Sequence, residues 1–189
     1  MKRLILILIL TFGLLSLSKA NEISEFEIEG ISLGDSLLDY LSKNEIGNLK
    51  ETYYNDNLYT SITVFSDETN LKLKEYDALV LTFLTKDNEF ILQGISGIIV
   101  YKKNIEECNI KHNEILKEFK LIFKDNKFQK NNFRGKLGNV ESTEFLFKND
   151  DMAIVSCYDY DPHPTNTDHL RIALNRYEYL IWLEEKAYN

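Results

Sequence analysis

Phe26 and Ile28 alternate with Glu25, Glu27 and Glu29 in "SEFEIEGI" (24–31), the two-residue period of a strand with one wet face. The apolar positions of "SLLDYLSKNEI" (36–46) then change to helical spacing, which predicts a short helix. Three β-rich runs follow, at 57–67, 71–85 and 89–102, separated by the turn-like "SDETN" and "TKDN". Connections this short imply antiparallel neighbours, because a parallel return needs a crossover of a dozen or more residues. From 104 to 124 the period is again helical. Ile105, Cys108, His112, Ile115, Leu116, Phe119, Ile122 and Phe123 form one apolar stripe with charge opposite. Gly135 and Gly138 mark an irregular stretch. Residues 142–150 and 151–160 then read as a hairpin turning at Asn149-Asp150, 169–175 as a further strand and 176–188 as a closing helix on Tyr177, Leu180, Ile181 and Trp182. The order β-α-β-β-β-α-β-β-β-α is not an alternating βαβ. It predicts an α+β domain, a mostly antiparallel sheet covered on one face by the long helix.

The first twenty residues stand apart. Lys2 and Arg3 precede an apolar run, Leu4 to Leu17, and Ser18-Lys19-Ala20 has the small-x-small form of a cleavage site. That is the layout of a secretory signal, and the apolar run is short for a membrane span. The expectation is a signal at 1–20, a single domain at 21–189 and a periplasmic or secreted destination. Removing Lys2, Arg3 and Lys19 leaves 19 basic against 30 acidic side chains, a net charge of −11. Such a balance disfavours nucleic acid and anionic membrane surfaces as partners, since both are polyanions. Without the signal no stable membrane insertion is expected. Cys108 and Cys157 are the only cysteines. In an oxidising compartment an even pair predicts one disulfide, worth roughly 4 kcal/mol in the chain-entropy model. With no C-x-x-C and so few sulfur ligands, neither a structural zinc nor any other cofactor is expected.

Chemistry is concentrated in two stretches. "GISLGDSLL" (30–38) holds both G-x-S-x-G at Ser32 and G-D-S-L at Ser36. Only about ten residues of the mature chain precede Ser32, too few for the strands upstream of a nucleophile elbow. The other spelling, Gly34-Asp35-Ser36-Leu37, resembles the first block of the GDSL (SGNH) hydrolases, secreted α/β esterases. That resemblance would make Ser36 the nucleophile, with His163 as base and Asp161 as the acid orienting it. The family's D-x-x-H block is not matched, because Tyr160 stands three residues before His163 and Asn166 three before His169. Its oxyanion-hole glycine and asparagine blocks are absent too. A structural role explains the same letters: Gly34 turns the chain, and Ser36 caps a helix with Asp39 three residues on. The second stretch is "YDYDPHPTNTDHL" (158–170). Asp159, Asp161 and His163, with Asp168 and His169 nearby, are mixed oxygen and nitrogen donors of the kind that bind a divalent cation. The same residues also read as a polar surface loop stiffened by Pro162 and Pro164. His112, on an apolar stripe, reads as a packed, hydrogen-bonded core histidine.

The whole layout, from "FEIEGISLGDSLLDYLSKNEI" to "VSCYDYD" and "LRIALNRYEYLIWLEEKAYN", resembles secreted proteins of AT-rich marine alphaproteobacteria, which brings no assigned activity. The reading that follows is a non-catalytic α+β domain that binds a partner or small ligand through its sheet or the 159–169 loop. The alternative is a serine ester hydrolase using Ser36.

Overall fold

The computed structural model describes residues 22–51, 54–65, 69–102, 104–163 and 167–188. The predicted signal lies outside them. The fold is α+β, built on one eight-stranded sheet whose neighbours are all antiparallel. Its strands in chain order are β3 (Lys50–Glu51), β4 (Tyr59–Phe65), β5 (Ala78–Leu84), β6 (Leu92–Val100), β7 (Lys127–Arg134), β8 (Gly138–Leu146), β9 (Met152–Tyr160) and β10 (His169–Asn175). Across the sheet they run β3-β4-β5-β6-β10-β9-β8-β7. The order is mirrored about the β6–β10 pair. Each half is a helix followed by a four-strand meander: α1 (Lys43–Leu49) precedes β3–β6, and α2 (Ile105–Ile122) precedes β7–β10. The amino-acid sequence carries no visible repeat to match.

One face of the sheet holds the main core. Ile62, Val64, Leu79, Leu81, Ile95, Val155, Leu170, Ile172 and Leu174 point into it. α2 covers the β9–β10 half with Cys108, Ile115 and Leu116, while the N-terminal segment brings Ile28, Ile31, Leu37 and Ile46 into the same core. Asn104 caps α2, its side chain accepting from the Glu107 N–H at 3.3 Å. His112 is buried on the stripe, where its Nε2 lies 3.2 Å from the Val155 carbonyl and so donates to it. The Cys108–Cys157 disulfide ties α2 to β9 across 49 residues of chain, with the two Cα atoms 6.0 Å apart.

Several expectations need correction. The 24–31 stretch is not one strand. It is a 3-10 turn (Ile23–Glu25) followed by a tight hairpin of β1 (Glu27–Ile28) and β2 (Ile31–Ser32). Glu29 (φ 56°) and Gly30 (φ 78°) form its two-residue turn, both in the left-handed region that such a turn requires. The 36–46 helix divides into a 3-10 turn (Leu37–Asp39) and α1, whose capping box is Ser42 with Glu45 rather than Ser36 with Asp39. Of the 71–85 run only Ala78–Leu84 is strand. Residues 74–76 are held instead by Glu29, whose Oε1 accepts the Lys74, Glu75 and Tyr76 N–H groups at 2.8, 2.6 and 3.1 Å. The stretch before 142 is not irregular: β7 and β8 form a long hairpin about Gly135–Leu137. α2 covers one face of the sheet as expected. α3 (Tyr177–Glu185) packs on the other side, where Tyr179 and Trp182 meet Tyr59 in a second, smaller core.

Candidate functional site

The predicted serine site resolves into backbone architecture. Ser36 Oγ donates to the Glu89 carbonyl at 2.6 Å and accepts from the Leu38 N–H at 3.3 Å. Gly34 (φ 93°) turns the chain so that "GDSL" runs beside the start of β6. There the Gly34 N–H donates to the Leu92 carbonyl, the Leu92 N–H to the Asp35 carbonyl and the Leu37 N–H to the Phe90 carbonyl. The Asp35 carboxylate accepts from the Ser32 N–H at 2.9 Å and from the Tyr40 hydroxyl at 2.6 Å. Burial, then this carboxylate, push the Tyr40 pKa up. Ser36 bridges to Ile91 at one end of β6, whereas His169 pairs with Val100 at the other. Nine residues of strand between them span roughly 30 Å. The structure does not bring Ser36 and His169 together.

The acids and histidines of 158–170 are dispersed as well. Asp161 Oδ2 accepts from Arg134 Nη2 at 2.6 Å, an exposed ion pair. His163 is exposed two residues further on. Asp168 is buried and accepts from the Tyr160 N–H at 3.0 Å, closing the β9–β10 connection. His169 lies on the sheet face opposite α2, stacked on Tyr158 with ring centroids 4.5 Å apart; burial lowers its pKa. Among the described residues no three His, Cys, Asp or Glu side chains converge as a metal site requires.

Asp159 faces elsewhere. It lines a cleft of about 400 Å³ between the first turns of α2 and the far end of the β7–β8–β9 hairpins. Ile105 and Asn109 form the helix wall, and Asn132, Arg134, Asn139, Glu141 and Asp159 the strand wall, with the Cys157 half of the disulfide at the base. Pairing explains the convergence. Glu141 stands opposite Cys157 on β9 and opposite Asn132 on β7, and Asn139 stands opposite both Asp159 and Arg134. The disulfide carries Asn109, the residue after Cys108, to the same place. Gly138 is needed there, because a Cβ would collide with the Asp159 carbonyl.

Arg134 is already engaged, by Asp161 and by the Asn139 Oδ1 at 3.2 Å. The side chains of Asn109, Asn132, Glu141 and Asp159 have no hydrogen-bond partner among the described residues, and Asn109, Glu141 and Asp159 are half-buried. Two of the four are carboxylates, which accept only, and two are carboxamides, which both donate and accept. The cleft therefore presents more acceptors than donors and a negative balance. Its lining is chemically complementary to hydrogen-bond donors, cationic or neutral. Of these residues sequence reasoning singled out only Asp159. Asn109 was findable, since it occupies a stripe position of the helix, four after Ile105 and three before His112, yet is polar. The cleft's volume falls in the range of small-ligand sites. No family model, no curated protein and no solved structure matches this chain.

Proposed function

We propose that this chain is a secreted or periplasmic, non-catalytic binding domain that holds a small, donor-rich molecule in the cleft between α2 and the β7–β8–β9 end of the sheet. A protonated amine carrying hydroxyl groups, as in an amino sugar, has the required chemistry. Its ammonium answers Glu141 and Asp159, and its hydroxyls pair with the amides of Asn109 and Asn132. The observation that carries this reading is the convergence of four polar side chains, none hydrogen-bonded within the described residues, on one cleft. Asn109, Glu141 and Asp159 are half-buried and Asn132 is exposed, so water meets them in the free protein, and a ligand with matching donors and acceptors can take the place of that water. The secretory layout of residues 1–20 and the disulfide support the compartment.

Thermal melting with glucosamine as probe is the test. A ligand that binds only the folded state at a hundred times its Kd stabilises by about 2.7 kcal/mol. Glucosamine raises Tm in a concentration-dependent way and acetate does not, and Glu141→Gln removes the rise. No rise with glucosamine, or the same rise in the Glu141→Gln variant, refutes the reading.

A further inference from the structure

On the sheet face opposite α2, one arginine stands at the centre. β10 lies between β6 and β9, and Arg171 sits opposite Ile98 on one side and Ser156 on the other. Its Nη2 donates to Ser96 Oγ at 2.9 Å. The ion pairs among the described residues engage Lys111, Arg134 and Arg176, and none of them reaches Arg171. Glu144, which shares this face two strands away, has both carboxylate oxygens engaged, by Gln129 at 2.6 Å and Asn131 at 2.7 Å. In a chain with 30 acidic and 22 basic side chains, a half-buried guanidinium with no carboxylate partner among the described residues is conspicuous.

Beside it, under α3, is a pocket of about 110 Å³. Ser156 and Asn175 line it at 4% and 6% exposure, and the side chain of neither is hydrogen-bonded among the described residues. Tyr158 forms one polar wall; Ile154, Leu180 and Leu183 form the apolar one. At about 30 Å³ per water, the space takes roughly four water-sized groups. Guanidinium N–H and hydroxyl groups are the donors that a planar oxyanion needs, and arginine's fork matches a carboxylate bidentately.

We infer that this pocket is a carboxylate site, in which Arg171 and Ser156, paired across β10 and β9, hold the oxygens of a short-chain organic acid, Leu180 and Leu183 take its hydrocarbon end, and Asn175, four residues along β10, lines the far wall. It is separate from the α2 cleft and of opposite charge preference, so either site can fail without the other.

The experiment is an NMR titration of the intact protein with sodium butanoate, following the Arg171 Nε–H and Asn175 side-chain amide signals. Both shift and saturate. Arg171→Lys, which keeps the charge and loses the fork, weakens binding about tenfold, and Ser156→Ala about fivefold. Ser156→Ala removes one hydroxyl and carries the comparison should the arginine variant not fold. Sodium phosphate in a parallel titration binds more weakly, because the pocket's apolar wall gives it nothing. Phosphate binding as tightly as butanoate overturns the carboxylate assignment, and the absence of saturable shifts at Arg171 and Asn175 overturns the site.

Discussion

Asp151 shows how much a single side chain organises at the residue scale. Buried at the start of β9, it accepts from Arg176 Nη1 at 2.8 Å, from the Asn149 side-chain amide at 2.7 Å and from the Tyr177 N–H at 2.9 Å. One carboxylate thus closes the β8–β9 turn and caps α3. Removing it strands the Arg176 charge, so Asp151→Ala lowers stability by about 3 kcal/mol. The denaturant midpoint falls while the slope stays constant, and a change below about 0.5 kcal/mol contradicts this account. His112 and His169 make a second residue-scale prediction. Burial lowers the pKa of both rings below the ordinary histidine value of 6.5. Protons therefore bind the unfolded chain more readily. The stabilisation is present above that value and is lost as pH falls through the lowered folded values. Tm declines over that interval, and His112→Leu makes the decline shallower. A Tm that is level or rises as the pH falls contradicts it.

At the scale of elements, legibility followed burial. α2, β4, β6, β9 and β10 each bury one stripe or face against the core, and each was readable from its period. β7 was not. Its residues "KFQKNNFR" lie at the sheet edge and are almost all exposed on both faces, so no alternation was imposed on them. The β1–β2 hairpin was hidden for a different reason. Its turn places a glutamate, Glu29, where asparagine or aspartate is usual, and Glu29 is needed there to hold 74–76. Ser36 was legible as a cap but not the brevity of the helix it caps, because Ser42 restarts the helix six residues later. The disulfide links both levels. A Cys108→Ala/Cys157→Ala variant loses about 4 kcal/mol by the loop-entropy relation. It also releases Asn109 from the strand wall, so glucosamine binding weakens along with stability. Retained stability in that variant counts against the disulfide as the tie between α2 and β9.

The whole molecule is two mirrored helix-plus-meander halves sharing one sheet, with α2 on one face and α3 on the other. No helix among the described residues is long and apolar enough to cross a membrane. The fold class was readable because helical and strand periods follow one another without βαβ alternation. The cleft was not, because it draws Asn109, Asn132, Glu141 and Asp159 from four elements joined only by strand register and one disulfide. Those residues match no motif, and each is ordinary in its own segment. The central claim is that they form one binding site, and NMR of the side-chain amides tests it most directly. On titration with glucosamine, the Asn109 and Asn132 amide signals shift together along one saturating curve, and Glu141→Gln weakens that curve at least tenfold. Shifts confined to other asparagines, or an unchanged curve in the Glu141→Gln protein, would contradict the account.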